Sequence, residues 1–273
     1  MTREEAIVRI KEIGCYNDSV EKVQWSNGVI ALHTADGKTF DFPSGGKLEN
    51  YVDAADCKAV LLGHTFYTPD VLAKELDEST DFGNGKVEVL SSKKCMVCAA
   101  QAELDQMRAA GCGLCTFCRE GAYQLSCIFA DMKKPGAKKD ALALAEEIGE
   151  AMLTGCNCPI GEETAQPVLS ALANFRAEIE AHCGAGKCPA GECGGFSTIY
   201  VDPMKCEGAG DCMDVCPVDA IEGKKGFISM IDEFECTKCG KCVEACENEA
   251  IVMGAGKTPK LPTKLTKVGR FRK

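Results

Sequence analysis

The sequence has no run of apolar residues approaching the length a bilayer requires, which excludes a membrane-spanning helix. Its opening residues, MTREEAIVRIKEIG, contain no basic stretch leading into an apolar one, so no signal peptide is expected. The glycine patterns of nucleotide binding are missing as well. Gly83-Asn84-Gly85, Gly208-Ala209-Gly210 and Gly254-Ala255-Gly256 are not GxGxxG, and none sits at a strand-to-helix turn. Gly256-Lys257-Thr258 lacks the earlier glycine of a P-loop. No Ser-His-Asp or Cys-His arrangement with a catalytic context is present. The expectation is a soluble, cytoplasmic chain without a flavin, nucleotide or substrate site of its own.

Cysteine, in contrast, is abundant: 20 of 273 residues. The even count would also suit a disulfide-rich secreted protein. Intervals of three and four residues, however, suit ligands around a metal cluster better than scattered bridges. The first 94 residues hold only Cys15 and Cys57, and the other eighteen cysteines lie between Cys95 and Cys246. That shift marks a domain boundary near Ser91-Ser92. Net charge is −10, but residues 257–273 hold seven Lys or Arg and no acidic residue. The rest of the chain, with 24 basic and 41 acidic groups, stands at −17, so general nucleic-acid binding is not expected. The basic tail, residues 256–273, is expected to be solvated in the isolated chain and to strap an acidic partner surface in a complex.

Hydrophobic patterning predicts an α+β multidomain chain. In residues 1–92, Ala6, Ile7, Ile10 and Ile13 follow helical spacing. Strands are expected over Val20–Trp25, Val29–Thr34 and Lys38–Phe42, broken at Asn27-Gly28 and Asp36-Gly37. A strand at Lys58–Leu62, a helix from Thr68-Pro69 to about Glu78 and a strand at Lys86–Leu90 complete a β-α-β-like unit. This small α+β domain has no chemical motif. Trp25, His33 and His64 are read as structural or solvent-facing, His64 having no identifiable partner. Residues 93–182 read as a four-helix bundle, with helices near Val97–Ala110, Arg119–Met132, Asp140–Leu153 and Pro167–His182 and the cysteines in the loops.

Two runs near the end of the chain superpose at an offset of 30 residues. Cys206 falls on Cys236, Cys212 on Cys242, Cys216 on Cys246 and Ala220-Ile221 on Ala250-Ile251, but Ala209 falls on Cys239. In two-cluster ferredoxins the fourth cysteine of each run crosses to the other cluster. Cys236, Cys239, Cys242 and Cys216 then make a complete [4Fe–4S] site. Cys206, Cys212 and Cys246 are left with Ala209 at the fourth corner, and alanine cannot ligate. That site is expected to hold [3Fe–4S], or a site-open [4Fe–4S] whose fourth iron is held by water or by Glu207 or Asp211. The first run, Cys112-x2-Cys115-x2-Cys118, offers three corners of a further cubane, with Cys156 and Cys158 available for the fourth.

These last residues carry a specific resemblance. CGLCTFCREG followed by CPIGEETAQPVLSALANFR resembles the C-terminal cluster domain of the NADH-oxidising flavoprotein subunit of complex I and of NAD-linked, electron-bifurcating hydrogenases. It covers roughly residues 95–255, without the FMN and NADH domain. The resemblance implies Cys158, nine residues before Pro167, as the fourth ligand, and Arg119 and Glu120 as residues fixing the ligand loop. It further implies a structural zinc in the linker, residues 183–197, built from His182, Cys188, Cys193 and either Cys95 or Cys98. A [2Fe–2S] centre on Cys95, Cys98, Cys188 and Cys193, or reduced and packed thiols, are the alternatives there. Residues 198–255 become a bacterial two-cluster ferredoxin module.

The function expected is an electron-relay subunit of a hetero-oligomeric oxidoreductase complex, between a flavin-containing subunit and another redox subunit or ferredoxin. The chain itself need not be an enzyme. A Lewis-acid enzyme using the open corner at Ala209, as a hydratase would, and a redox sensor or free carrier are the competing readings.

Overall fold

A computed structural model describes residues 1–184, 186–254 and 258–271. Of the sequence expectations, those on Gly256, Lys257, Arg272 and Lys273 in the tail, on Ala255 at the end of the ferredoxin module and on Ala185 in the linker fall outside the described residues. The chain forms two compact units, residues 1–193 and 194–273.

The first unit begins with α1 (Arg3–Glu12), whose start is fixed by a capping box. Thr2 Oγ1 accepts from Glu5 N, and Glu5 Oε2 accepts from Thr2 N, an exchange worth about 1 kcal/mol. Five strands follow: β1 (Val29–Thr34), β2 (Thr39–Pro43), β3 (Ala59–Leu62), β4 (Thr65–Tyr67) and β5 (Lys86–Leu90). Their order across the sheet is β2-β1-β5-β3-β4. The central β1/β5 pair is parallel and every other pair antiparallel. Ile30, Leu32, Phe42, Val60, Leu62, Phe82 and Val87 form the core of this sheet.

Three expectations for this region are corrected. Val20–Trp25 is not a strand; Val23 N donates to Gly83 O, and only Ser26 bridges Val29. The helix from Thr68 to Glu78 is a 3-10 turn, Pro69–Ala73, ended by extended backbone at Lys74. Leu76 explains why: its N–H and C=O are spent on Gly46 and Gly45, leaving none for a helical ladder. The β-α-β-like unit is therefore replaced by antiparallel β3/β4 and β3/β5 pairs.

The helices are α2 (Met96–Ala109), α3 (Thr116–Met132), α4 (Ala141–Gly155), α5 (Pro159–Glu163) and α6 (Gln166–Glu180). Helix α2 packs on α3 and α6, and α4 packs on α3 and α6. The expected domain boundary near 92 falls inside the first unit, where Phe66 of β4 exchanges hydrogen bonds with α6. Phe66 N donates to Ser170 Oγ (3.0 Å), and Asn174 Nδ2 to Phe66 O (2.8 Å). His64 is buried here and has partners after all. Its Nε2 lies 2.7 Å from Ser19 O, and its Nδ1 lies 3.6 Å from Glu103 Oε2 on α2.

The second unit contains β6 (Thr198–Val201), α7 (Asp211–Asp214), β7 (Ile221–Glu222), β8 (Met230–Ile231), α8 (Lys241–Glu244) and β9 (Ile251–Gly254). Strands β6/β9 and β7/β8 make two antiparallel ribbons. The sequence repeat is a backbone repeat. Asp202 N donates to Ala250 O and Asp232 N to Ala220 O; Asp219 and Glu249 share positive φ, as do Gly210 and Gly240. The expectation of a solvated tail in the isolated chain is corrected for residues 266–268, which pair with residues 226–228 of the same unit. Among the described residues no helix is long and apolar enough to cross a membrane.

Candidate metal centres

Four groups of cysteines come together, three of them around cavities. The first cavity, about 360 Å³, is lined by Cys112, Cys115, Cys118, Cys156 and Cys158. Cys115 is the N-cap of α3, so the ligand run extends into a helix rather than lying wholly in a loop, with Cys118 in the first turn. The partial positive charge of that helix end favours a negatively charged group in the cavity. Cys156 caps the end of α4, and Cys158 precedes Pro159 at the start of α5. Arg119 Nη1 donates to Gly113 O at 2.8 Å, tying down the Cys112–Cys115 loop, and Arg119 Nε donates to Glu120 Oε1 at 2.9 Å. Gly161 stands where a Cβ would lie 3.0 Å from Cys156 Sγ and 3.3 Å from Cys118 Cβ, so a side chain there would intrude among the thiols.

The donor set calls for a cationic core. Burial and then the neighbouring Cys158, Cys115 and Cys112 thiolates push Cys118 up to about 11. Burial and the Cys118 and Cys115 thiolates push Cys156 up as well. Burial also resists ionisation of Cys115, but backbone N–H groups of Cys118, Asn157 and Phe117 bring it down. Thiols this crowded cannot all ionise unless cations sit between them.

What the sequence did not reveal is the cover. Ala6 and Ile10 of α1, at 0% and 1% exposure, line the same cavity, and Cys15 packs beside them. The apolar spacing of α1 signals a buried face but not what that face covers.

In the second unit Cys206, Cys212 and Cys246 line a cavity of about 50 Å³ together with Ala209, which is exposed. Glu207 and Asp211 line it too, and so does Glu247. Among the described residues, no lysine or arginine lines it. Cys216, Cys236, Cys239 and Cys242 line a tighter cavity of about 10 Å³. Backbone N–H groups approach the sulfurs in matching places. Ala220 N donates to Cys216 Sγ and Ala250 N to Cys246 Sγ, each at 3.3 Å, and Lys238 N donates to Cys236 Sγ at 3.4 Å. Such bonds stabilise a thiolate and tune a bound cluster.

The fourth group is Cys95, His182, Cys188 and Cys193, whose ligand atoms all lie within 4.8 Å of one another. Cys95 Sγ is 3.2 Å from His182 Nε2 and 3.5 Å from Cys193 Sγ, and Cys193 Sγ is 3.7 Å from His182 Nε2. His182 Nδ1 lies 2.9 Å from Glu178 O, which turns Nε2 towards the thiols. Cys95 N donates to Glu192 Oε2, and Met96 N to Glu178 Oε1. Cys98 stands just outside the set, 3.5 Å from Cys193 Sγ. Hydrogen bonds with Cys193 and Cys95 draw Cys98 down, and those with Cys95 and Cys98 push Cys193 up. Burial works against a charged His182, but its bond to Cys95 raises it overall.

Residues 98–182 match the family model of the NADH-ubiquinone oxidoreductase-F iron-sulfur binding region, and residues 198–247 match the 4Fe-4S dicluster domain. The chain resembles the iron–sulfur part of a flavoprotein subunit. It is 32% identical over 203 residues to the NADP-reducing hydrogenase subunit HndC of Solidesulfovibrio fructosivorans, covering 70% of this chain and 37% of the relative. Residues 95–255 alone cannot supply that share, so the likeness reaches into the first 94 residues or the tail. The NADH-quinone oxidoreductase F protein of Mycobacterium tuberculosis is 26% identical over 178 residues, covering 59% of this chain and 40% of the relative. The NAD+-reducing [NiFe]-hydrogenase in its air-oxidized state superposes on 56% of this chain and 29% of its own, with 26% identity and a TM-score of 0.50. The chain thus spans less than half the length of these relatives.

Proposed function

We propose that the chain is an iron–sulfur electron-relay subunit of a cytoplasmic, hetero-oligomeric oxidoreductase complex. It would lie between a flavin-containing subunit and a further redox subunit or ferredoxin. The observation that carries this reading is the sorting of twelve cysteines into three cavities, eleven of them assigned here as ligands. Cys112, Cys115, Cys118 and Cys158 would hold one [4Fe–4S] cluster. Cys216, Cys236, Cys239 and Cys242 would hold a second. Cys206, Cys212 and Cys246 would hold a [3Fe–4S] cluster beside Ala209. Bound clusters supply one-electron chemistry. The chain's residues exclude water, donate N–H groups to sulfur and fix the thiolates. The carboxylates around Ala209, with no basic residue among the described residues lining that cavity, favour a relay over an enzyme binding an anionic substrate at an open iron.

The fourth site supports a structural zinc held by Cys95, His182, Cys188 and Cys193. Tetrahedral zinc sets donor atoms about 3.5–3.8 Å apart, given bond lengths near 2.0–2.3 Å. The three separations, 3.2, 3.5 and 3.7 Å, lie near that, and the approach of His182 Nε2 to two of the thiols supports a mixed Cys3His set over an all-cysteine [2Fe–2S] centre. The helices α2, α3, α4 and α6 make up the bundle of this reading.

Affinity purification of the chain from its native cells, with identification of what accompanies it, tests the proposal. A flavin-containing subunit should co-purify. Recovery of the chain alone, with full metal content and no redox partner, would sink the relay reading and favour a free carrier.

A further inference from the structure

The segment 258–271 has no part in the relay, yet it is built onto the cluster loop that lacks a cysteine. It carries Lys260, Lys264, Lys267 and Arg270 and no acidic residue, whereas residues 194–254 hold 12 acidic and 5 basic residues. It lies along its own unit through two backbone hydrogen bonds. Ile228 N donates to Thr266 O at 2.9 Å and Val268 N to Gly226 O at 3.2 Å, on either side of the Phe227–Lys267 bridge. Lys224 Nζ lies 4.7 Å and Lys267 Nζ 6.0 Å from the centroid of the Phe227 ring. Phe271 packs against the core that contains Cys206, Cys212 and Ile228.

Residues 226–229 in turn grip the ligand loop. Gly226 N donates to Gly208 O at 2.9 Å. A Cβ on Gly208 would stand 2.9 Å from both N and O of Phe227, and its φ is +71°, so the two backbones touch where only glycine fits. Buried Ser229 accepts from Cys212 Sγ at 3.4 Å. Three layers result: the strap on residues 226–229, those residues on loop 206–212, and the loop on its cavity. The second repeat holds its loop by other means. In place of Gly208 it has Lys238, whose Nζ donates to Gly195 O at 3.2 Å and Ser197 O at 2.6 Å.

We propose that the strap is a clasp on the three-cysteine loop, with Val268 and Phe271 as positioning residues that set how readily this loop opens and gives up metal. The metal part of the inference rests on the assignment of a cluster to Cys206, Cys212 and Cys246. A site with three protein attachments and an exposed Ala209 corner depends more on loop stiffness than a site with four. Positive charge on an acidic unit draws the clasp shut and makes it sensitive to salt.

The test compares holoprotein with Val268→Pro, which removes the N–H bonded to Gly226, and with Phe271→Ala. Amide hydrogen exchange of residues 206–213 should quicken about tenfold in Val268→Pro, roughly the factor that one lost hydrogen bond corresponds to. Exchange of residues 236–243 should not change. On incubation with a chelator, both variants should lose iron from the three-cysteine site first, tracked by decay of its spin-resonance signal, with the complete cluster retained. Unchanged exchange of residues 206–213 in both variants overturns the clasp, and so does equal acceleration of both loops. Faster exchange of residues 206–213 in protein that never shows a third cluster would leave the clasp standing and sink the cluster assignment.

Discussion

Single side chains decide two questions in this molecule. The first is which thiol would close the proposed first cubane, since Cys156 and Cys158 line the same cavity. Cys158 sits at a fixed N-cap before Pro159 and is 8% exposed. Cys158→Ser should therefore lose or destabilise that cluster, and Cys156→Ser should leave it intact, as read by iron content and low-temperature spin resonance. The second concerns a buried ion pair. Lys86 Nζ lies 2.5 Å from Glu103 Oε1 and 3.0 Å from Glu88 Oε2, joining β5 to α2. Burial pulls Lys86 down, but Glu103 and Glu88 raise it above its ordinary 10.5; burial raises Glu103, but His64 and Lys86 hold it below 4.5. The Glu103 contribution is present above about pH 4.5 and lost as pH falls through its lowered value. The Lys86 contribution is present below about pH 10.5 and lost as pH rises through its raised value. Lys86→Met should cost about 3 kcal/mol near neutral pH and less at both extremes, measured by denaturant unfolding across pH.

Among the elements, α1 has the clearest consequence for a metal site. Its Ile10 is buried against the first cluster cavity, and truncating a buried isoleucine costs about 2–5 kcal/mol. Ile10→Ala should lower the melting temperature of the first unit and speed bleaching of its cluster in air, while the ferredoxin-type clusters bleach at the wild-type rate. Equal bleaching of all clusters would remove α1 from the site. The elements also show where sequence reading succeeds. The spans of α2, α3, α4 and α6 were legible because an apolar stripe at helical spacing is a local signal. The 30-residue offset was legible because ligand spacing is local too, and it anticipated which residues meet around Ala209. Residues 68–78 misled because Thr68-Pro69 starts a turn as readily as a helix, and the outcome lay with Gly45 and Gly46, some 30 residues away. The pairing of residues 266–268 with 226–228 was hidden for the same reason, since charge and proline content describe a segment alone and not the backbone it meets.

The metal inventory follows from the whole molecule. On the proposed assignment, two cubanes and a three-iron cluster would come to about 11 iron atoms per chain, with one zinc. Elemental analysis of anaerobically prepared protein checks the count, and Ala209→Cys should raise the iron to about 12 and abolish the [3Fe–4S] spin signal. Twelve irons in the unaltered protein would mean the open corner is filled. Zinc absent, with extra iron in its place, would revive the [2Fe–2S] alternative at Cys95.

An ion on the proposed donors Cys95, His182, Cys188 and Cys193 would close residues 95–193 of the first unit into a loop. Cys95 and Cys193 are 98 residues apart in sequence, yet their sulfurs are 3.5 Å apart. An ion held there would join the start of α2 to the end of the unit much as a crosslink does, and closing a loop of that length is worth roughly 4–5 kcal/mol in the chain-entropy model. A single proteolytic nick inside the loop would then leave both fragments tethered until a chelator releases them. The part of the chain that transfers no electrons would thus be what keeps the electron-carrying helices together after damage.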